Sequence, residues 1–590
     1  MQSLKASFDP IKFEVIRNAL VEATEEMTIA LRRSAYSTNI KTRADFSCAF
    51  FDRQLQPVAQ SFTQAVHLGS LTELVPRVVK EYGTENLEPG DAILANDPYL
   101  GGVHLNDITL ISPVYHDNQL FGYVANLAHH VDVGGGAPAS IGAFREVYQE
   151  GVIIPPVKLV EAEQIVPDIF QLVLAQIRSK RETAGDFRAQ VAANNTGVRR
   201  LNALLDRMGS ETVSFYIDEL IAYTERRTRA EVGQLPRGVF TADGYVDNDG
   251  FTDEPVHLVS KVVIDDNGVL LDLTGCDPQR RAPVNSTYAQ TYSACAYVLK
   301  ALIDPDIPVN AGFYRLVRII APLGTVVNCT PPAPVVGGWE TQVRLTDVLF
   351  KALAPALPER IPAGTKAMMC QVGFGGTDPR TGGLYAYYET VAGGYGGRAR
   401  SDGPDAVQTH GQNTENAPIE ETEINYPVHI ACYELVDDSE GVGKHRGGLG
   451  LRRDYVFDHE VSFTILADRD RWGPEGLFGG LPGQVASYVL NPDAEAIKLG
   501  SKVTVQLKPG DVISFRTCGG GGHGPPETRD PQLVLHDVRE GKVNLERARE
   551  MYCVRIDPNT WTVDEVETAK LRGCGTTCSG YSQGHRREQR

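Results

Sequence analysis

The 590-residue sequence contains no apolar run approaching the ~18 residues that a membrane-spanning helix needs. Its first residues, MQSLKASFDPIKFEVIRNAL, lack a basic n-region followed by an apolar core, so no secretory leader is read there. Positive charge is in deficit: 57 Lys and Arg stand against 75 Asp and Glu, a formal net charge of -18. A mean field of that sign repels polyphosphates and anionic lipid, which disfavours nucleic acid and membrane surfaces as partners. These absences predict a soluble, cytoplasmic chain.

Cysteine is sparse, with 10 in 590 residues, and positions such as Cys48, Cys276, Cys295 and Cys432 lie mostly inside hydrophobic runs. They read as reduced core residues. Only Cys574 and Cys578, in RGCGTTCSG, stand close together, and two thiols make an incomplete zinc site. No GxxxxGK[ST] phosphate-binding loop occurs anywhere. The glycine-rich runs GGYGGRARSDGP and CGGGGHGPP do not replace it, since the second leads into Pro525 and Pro526 and not into a helix N-terminus. Both are expected to form tight turns or loops packed around a site. The GYSQG segment at Gly580–Gly584 has nucleophile-elbow spacing, yet its short polar tail offers no strand, turn and helix to hold it.

What is present is an ordinary globular composition, 42% hydrophobic and 22% charged, long enough for two to four structural units. From Pro10 to about Arg33 the apolar residues Phe13, Ile16, Leu20, Ala23, Met27 and Ala30 recur at helical spacing behind an Asp9-Pro10 start. Short apolar segments between Gly, Pro and Asn-Asp turns then predict strands and loops from about Asp45 to Val133, followed by a helical layer over 164–232. The run VHLVSKVVIDDNGVLLDLTG, around an Asn-Gly step, reads as a β-hairpin. The expected class is α+β and multidomain. Its expected parts are an N-terminal metal-binding domain (1–235), a central α/β domain (236–435), a β-rich C-terminal domain (436–562) and a tail (563–590).

The densest group of metal-competent side chains lies in NDPYLGGVHLNDITLISPVY and LFGYVANLAHHVDVGGG, which supply His104, Asp107, His129, His130 and Asp132. Pro98, Gly101 and Gly102 keep His104 off any long helix, so a loop lets His104 and Asp107 converge on one point. His129 ends an apolar run whose alternation suggests a strand, which could deliver an imidazole to the same point. Imidazole plus carboxylate suits Zn²⁺, Mn²⁺ or Fe²⁺, and three protein ligands leave a position open for water.

These segments, with SAYSTNIKTRADFSCAFFDRQLQPVAQSFTQAVHLGS, EGVIIPPVKL, PPAPVVGGWETQVRLTDVL, EETEINYPV, GVGKHRGGLG and CGGGGHGPPETRDP, occur in an order that resembles the hydantoinase B and 5-oxoprolinase B family. The resemblance runs over nearly the whole chain. It implies that His104, Asp107 and His129 hold the metal and that Asp45 joins or abuts it; the expected ion is zinc or manganese, and Asp45 is the candidate general base or water-orienting ligand. His130 and Asp132 are expected to orient the ligands from behind, while His67 is read either as lining the same cavity or as a satisfied core histidine. The implied partner is a larger, hydantoinase A-like chain that binds Mg-ATP and phosphorylates a cyclic amide, whose ring this chain then opens within a hetero-oligomer. The same ligands would serve a carboxylase of the acetone or acetophenone type, or a metal-stabilised scaffold for a catalytic partner. Thr42 and His523 depart from the family pattern, where an acid and an aromatic are usual.

Overall fold

The computed structural model describes residues 8–61 and 64–573. Cys574, Cys578 and the GYSQG segment lie outside the described residues.

The first helix spans Pro10–Ser34, and the Asp9 carboxylate accepts from the Ile11 and Lys12 N–H groups that no helical carbonyl can reach. Its buried stripe of Phe13, Ile16, Leu20, Met27 and Leu31 joins the helices Lys180–Met208 and Ser210–Val232 in one core. That core covers one face of a seven-stranded antiparallel sheet ordered Pro57–Gln60, Phe46–Asp52, Gln119–His129, Asp107–His116, Ala92–Ala95, Val157–Glu161, Gln164–Ile165.

The central strands are buried on both sides, and the period of two sorts their residues. Cys48, Phe50, Val124 and Ala128 enter the core just described. Ala49, Phe51, Tyr123, Ala125 and Leu127 enter a second core with the helix Ala65–Tyr82 and with Trp339 and Val343 of the helix Gly338–Leu353. The sheet is therefore the middle layer of three. Continued past Leu127, the same alternation turns His129 toward the second core.

A smaller sheet follows, ordered Val317–Ile320, Gly268–Asp272, Val256–Asp265, Gly238–Val246, and the expected hairpin closes at Gly268, whose φ of 118° suits glycine. Two further sheets then enclose a β-rich core around Phe374, Tyr455, Phe463 and Phe515. One of them pairs Gln371–Thr377 with Val461–Leu466, joining residues on both sides of the expected boundary at 435/436. The class is α+β.

The glycine-rich runs are packed loops, one of the two forms expected of them, and not tight turns. Extended segments lie side by side and bond backbone to backbone: Gly394 N–H to Cys518 O, Gly397 to Gly521, Gly441 to Gly520, Gly448 to Tyr395, Gly520 to Gly448 and Gly522 to Leu481. A Cβ on Gly448 would stand 1.8 Å from Pro404 O, and one on Gly520 would stand 2.0 Å from Tyr395 O. Neither residue has positive φ. Glycine is required because the backbones approach too closely for any side chain.

Cys48, Cys276, Cys295, Cys329, Cys370, Cys432 and Cys518 are free thiols, as expected. Cys553 is disulfide-bonded, so the expectation of reduced cysteines fails there.

Candidate metal centre

Asp107 opens the strand Asp107–His116 and stands directly opposite His129, the last residue of its neighbour. Asp107 Oδ1 lies 3.2 Å from His129 Nδ1. His104 reaches the same point from the preceding loop, its Nε2 3.2 Å from Asp107 Oδ2. His104, Asp107 and His129 are all buried, and each offers a donor atom within 4.8 Å of the others' donors.

Asn106 ties together the segments that carry His104 and His129. Its side-chain N–H₂ donates to His130 O and Ala139 O, and its backbone carbonyl accepts from the His130 N–H. Sequence reasoning passed over this residue because its work is done on distant backbone.

His67, near the start of the helix Ala65–Tyr82, completes the cluster with its Nε2 3.8 Å from Asp45 Oδ1 and 3.9 Å from Asp107 Oδ1. Asp45 sits one residue before the strand Phe46–Asp52, and its carbonyl accepts the His129 N–H at 3.0 Å. The structure thus brings together Asp45, His67, His104, Asp107 and His129.

It turns His130 and Asp132 elsewhere. His130 Nε2 pairs with Gln190 Oε1 at 3.0 Å on the opposite face of the sheet. The Asp132 carboxylate accepts from the N–H groups of Gly134, Ala139 and Arg178 and from the Arg178 guanidinium, fixing the loop beyond the site. These contacts direct both side chains away from the rings of the cluster, so neither orients a ligand from behind as expected.

Two aromatic residues from far along the chain cover the rings. Tyr388 stacks on His129 with centroids 4.4 Å apart, and Trp339 meets His104 edge-on at 6.0 Å. Trp339 also approaches His67 at 6.2 Å. Both are buried, and burial raises the Tyr388 phenol well above its ordinary range, so it remains protonated. Arg43 lies over the Tyr388 ring and is held by Asn39, Tyr388 O, Thr390 and Glu415 O.

Burial pushes the His104 and His129 imidazolium groups down to about 3, so both rings are neutral at pH 7 and carry free lone pairs. Burial also raises the Asp107 carboxyl, opposed by His104 and His67. The contact between His104 Nε2 and Asp107 Oδ2 lacks hydrogen-bond geometry, so among the described residues both atoms are without a partner, as are His104 Nδ1 and His129 Nε2. Unpaired buried polar atoms cost about 1–3 kcal/mol each, and converging here they form a donor set suited to a divalent cation. A second acidic group, Asp247, Asp468 and Asp470, has a different character, because Arg344 and Lys502 already pair with Asp468.

Residues 9–526 match the model of the Hydantoinase B/oxoprolinase family. The chain belongs to that family. An uncharacterized protein of Methanocaldococcus jannaschii is 40% identical over 96% of this chain and all of its own length. The B component of a putative D-/L-hydantoinase from a Pseudomonas species is 32% identical, with 96% of this chain and 98% of that one covered. The crystal structure of ATP-dependent caprolactamase from Pseudomonas jessenii superposes with a TM-score of 0.88 at 29% identity, covering 96% of this chain and 100% of that one.

Trp339 and Tyr388 were not legible as neighbours of this hydantoinase B-type cluster from local pattern. The one available signal is Trp339, one of 3 tryptophans, set in the glycine-flanked GGWET.

Proposed function

We propose that this chain is the metal-holding, ring-opening component of an ATP-dependent cyclic-amide hydrolase, acting on a ring that a hydantoinase A-like partner has activated by phosphorylation with Mg-ATP. The observation that carries this reading is the buried convergence of neutral His104 and His129 on Asp107, with donor atoms on all three lacking a partner among the described residues. The relative named as a hydantoinase component and the likeness to an ATP-dependent caprolactamase support the reaction class.

Amide resonance makes a ring C–N bond resistant to water, and phosphorylating the amide oxygen makes the ring carbon electrophilic. His104, Asp107 and His129 would hold the ion, zinc or manganese, with Asp45 joining or abutting it. Such an ion would lower the pKa of water toward ~7 and so supply the nucleophile that attacks the ring carbon. The Asp45 carboxylate takes a proton from the attacking water. His67 lies between the Asp45 and Asp107 carboxylates, its Nε2 3.8 Å from the first and 3.9 Å from the second. Trp339 and Tyr388 keep bulk water from the activated ring, the C–N bond breaks as the ring nitrogen gains a proton, and the acyl phosphate that remains is hydrolysed by a second water to the open-chain carboxylate and phosphate.

Reconstitution tests this. The purified chain alone is expected to hydrolyse neither ATP nor a cyclic amide, and adding the partner restores both. Robust ATP hydrolysis by the contaminant-free chain alone overturns the division of labour.

A further inference from the structure

A cavity of about 480 Å³ lies outside the metal centre and shares none of the centre's residues. Its size is that of a small-molecule site. Arg360 and Arg398 are the charged residues lining it. Neither is ion-paired among the described residues: Arg360 Nη1 donates to Leu302 O at 2.9 Å, and the Arg398 guanidinium lies 5.8 Å from the Tyr395 ring centroid. In a chain of net charge -18, two unneutralised guanidiniums on one concave surface make a local reversal of sign that favours an anion.

The rest of the lining is mostly apolar and aromatic. Tyr297, Phe350 and Tyr395 contribute to the wall, with Tyr297 meeting Phe350 edge-on at 6.1 Å. The buried His410 ring braces all three, at 5.3 Å from Phe350, 6.0 Å from Tyr395 and 6.2 Å from Tyr297. His410 is itself fixed by Asp347, which Arg469 holds in turn. Gln408 supplies a polar edge, its Oε1 accepting from the buried Lys366 ammonium and its N–H₂ donating to Thr390. A fully hydrated inorganic anion gains little from aromatic walls, whereas a carboxylate with an apolar body satisfies both halves of the lining.

We propose that this cavity binds a small organic carboxylate, its charge paired by Arg360 and Arg398 and its apolar or aromatic body held among Tyr297, Phe350 and Tyr395. The site is separate from the metal centre and independent of the reaction proposed there.

Titration calorimetry with benzoate on the full chain tests it, with inorganic phosphate as the comparator. Benzoate is expected to bind saturably, one per chain, with a dissociation constant of about 1 mM or tighter. Arg360→Gln/Arg398→Gln should weaken binding by about 10-fold or more while leaving the melting temperature unchanged, because both side chains are exposed. His104→Ala should bind benzoate as the wild type does, which separates this site from carboxylate captured by a metal. Three results overturn the proposal: no saturable benzoate binding, binding lost in His104→Ala but kept in the arginine double variant, or phosphate binding as tightly as benzoate.

Discussion

Asp107 and His129 are opposed residues on adjacent antiparallel strands, and their side chains meet at 3.2 Å. Strand pairing therefore sets the geometry of the centre. A one-residue slip would send His129 to the other face of the sheet, where His130 already meets Gln190.

Replacing His104, Asp107 or His129 with Ala is expected to lower metal content in the purified chain, because each supplies one of three clustered donors. Elemental analysis measures this. ATP turnover by the partner should continue while ring-opened product falls. Full occupancy and coupled turnover in all three variants would return the cluster to a structural role.

Asp45→Asn should fold, assemble and keep its metal but lose about 100-fold or more in ring opening, the range of a missing acid–base group. Parallel assays of phosphate and product release check it. Wild-type turnover would exclude Asp45 from proton transfer.

His130→Ala should act on stability and not on metal. It removes the 3.0 Å contact with Gln190 and leaves a buried amide oxygen short of a partner, at a cost of about 1–3 kcal/mol. A lower denaturation midpoint with unchanged metal content is expected. Loss of metal at unchanged stability would contradict this assignment.

The sequence made the clustered donors legible because they are close together in it: two short segments hold His104, Asp107 and His129, and the strand period aims His129. The Pro10–Ser34 helix was equally legible from Asp9, Pro10 and the apolar spacing. His130 misled because adjacency in a chain ending a strand places neighbours on opposite faces. The roles of Trp339, Tyr388 and Asn106 depend on contacts across sheets and loops, which local periodicity does not encode. The close backbone packing of the glycine runs was hidden for the same reason, since composition reveals freedom of φ but not a second backbone pressed against the place a Cβ would take.

Glu150 gives the chain a pH-dependent weakness. Burial raises its carboxyl to about 8, against the two backbone N–H groups of Val335 and Val336 that favour the charged form. The folded state therefore binds a proton that the unfolded state has lost, and stability falls as pH rises from about 4.5 to about 8. Glu150→Gln, whose carbonyl can keep both N–H bonds, should match wild type near pH 4 and be the more stable by roughly 2–4 kcal/mol at pH 8. Denaturation midpoints across that range decide it, and a gap that does not widen with pH rules it out.

Gly448→Ala and Gly500→Ala form a matched pair. A methyl at Gly448 meets Pro404 O at 1.8 Å, whereas nothing lies within 4 Å at Gly500. The first should give insoluble or strongly destabilised protein and the second a melting temperature close to that of wild type, measured by calorimetry. Equal tolerance would mean that the glycine segments are not packed as described.

The donors and their cover are far apart in the order of synthesis. His129 completes the donor set, but Trp339 emerges about 210 residues later and Tyr388 about 260. At ribosomal speeds of about 5–20 residues per second, that interval lasts on the order of 10–50 s. On the proposed metal-holding reading, an ion bound before Trp339 and Tyr388 arrive would be enclosed as they close like a roof over His129 and His104. Metal identity would then be set by what the cell offers during translation, and changed afterwards only by prying the roof away.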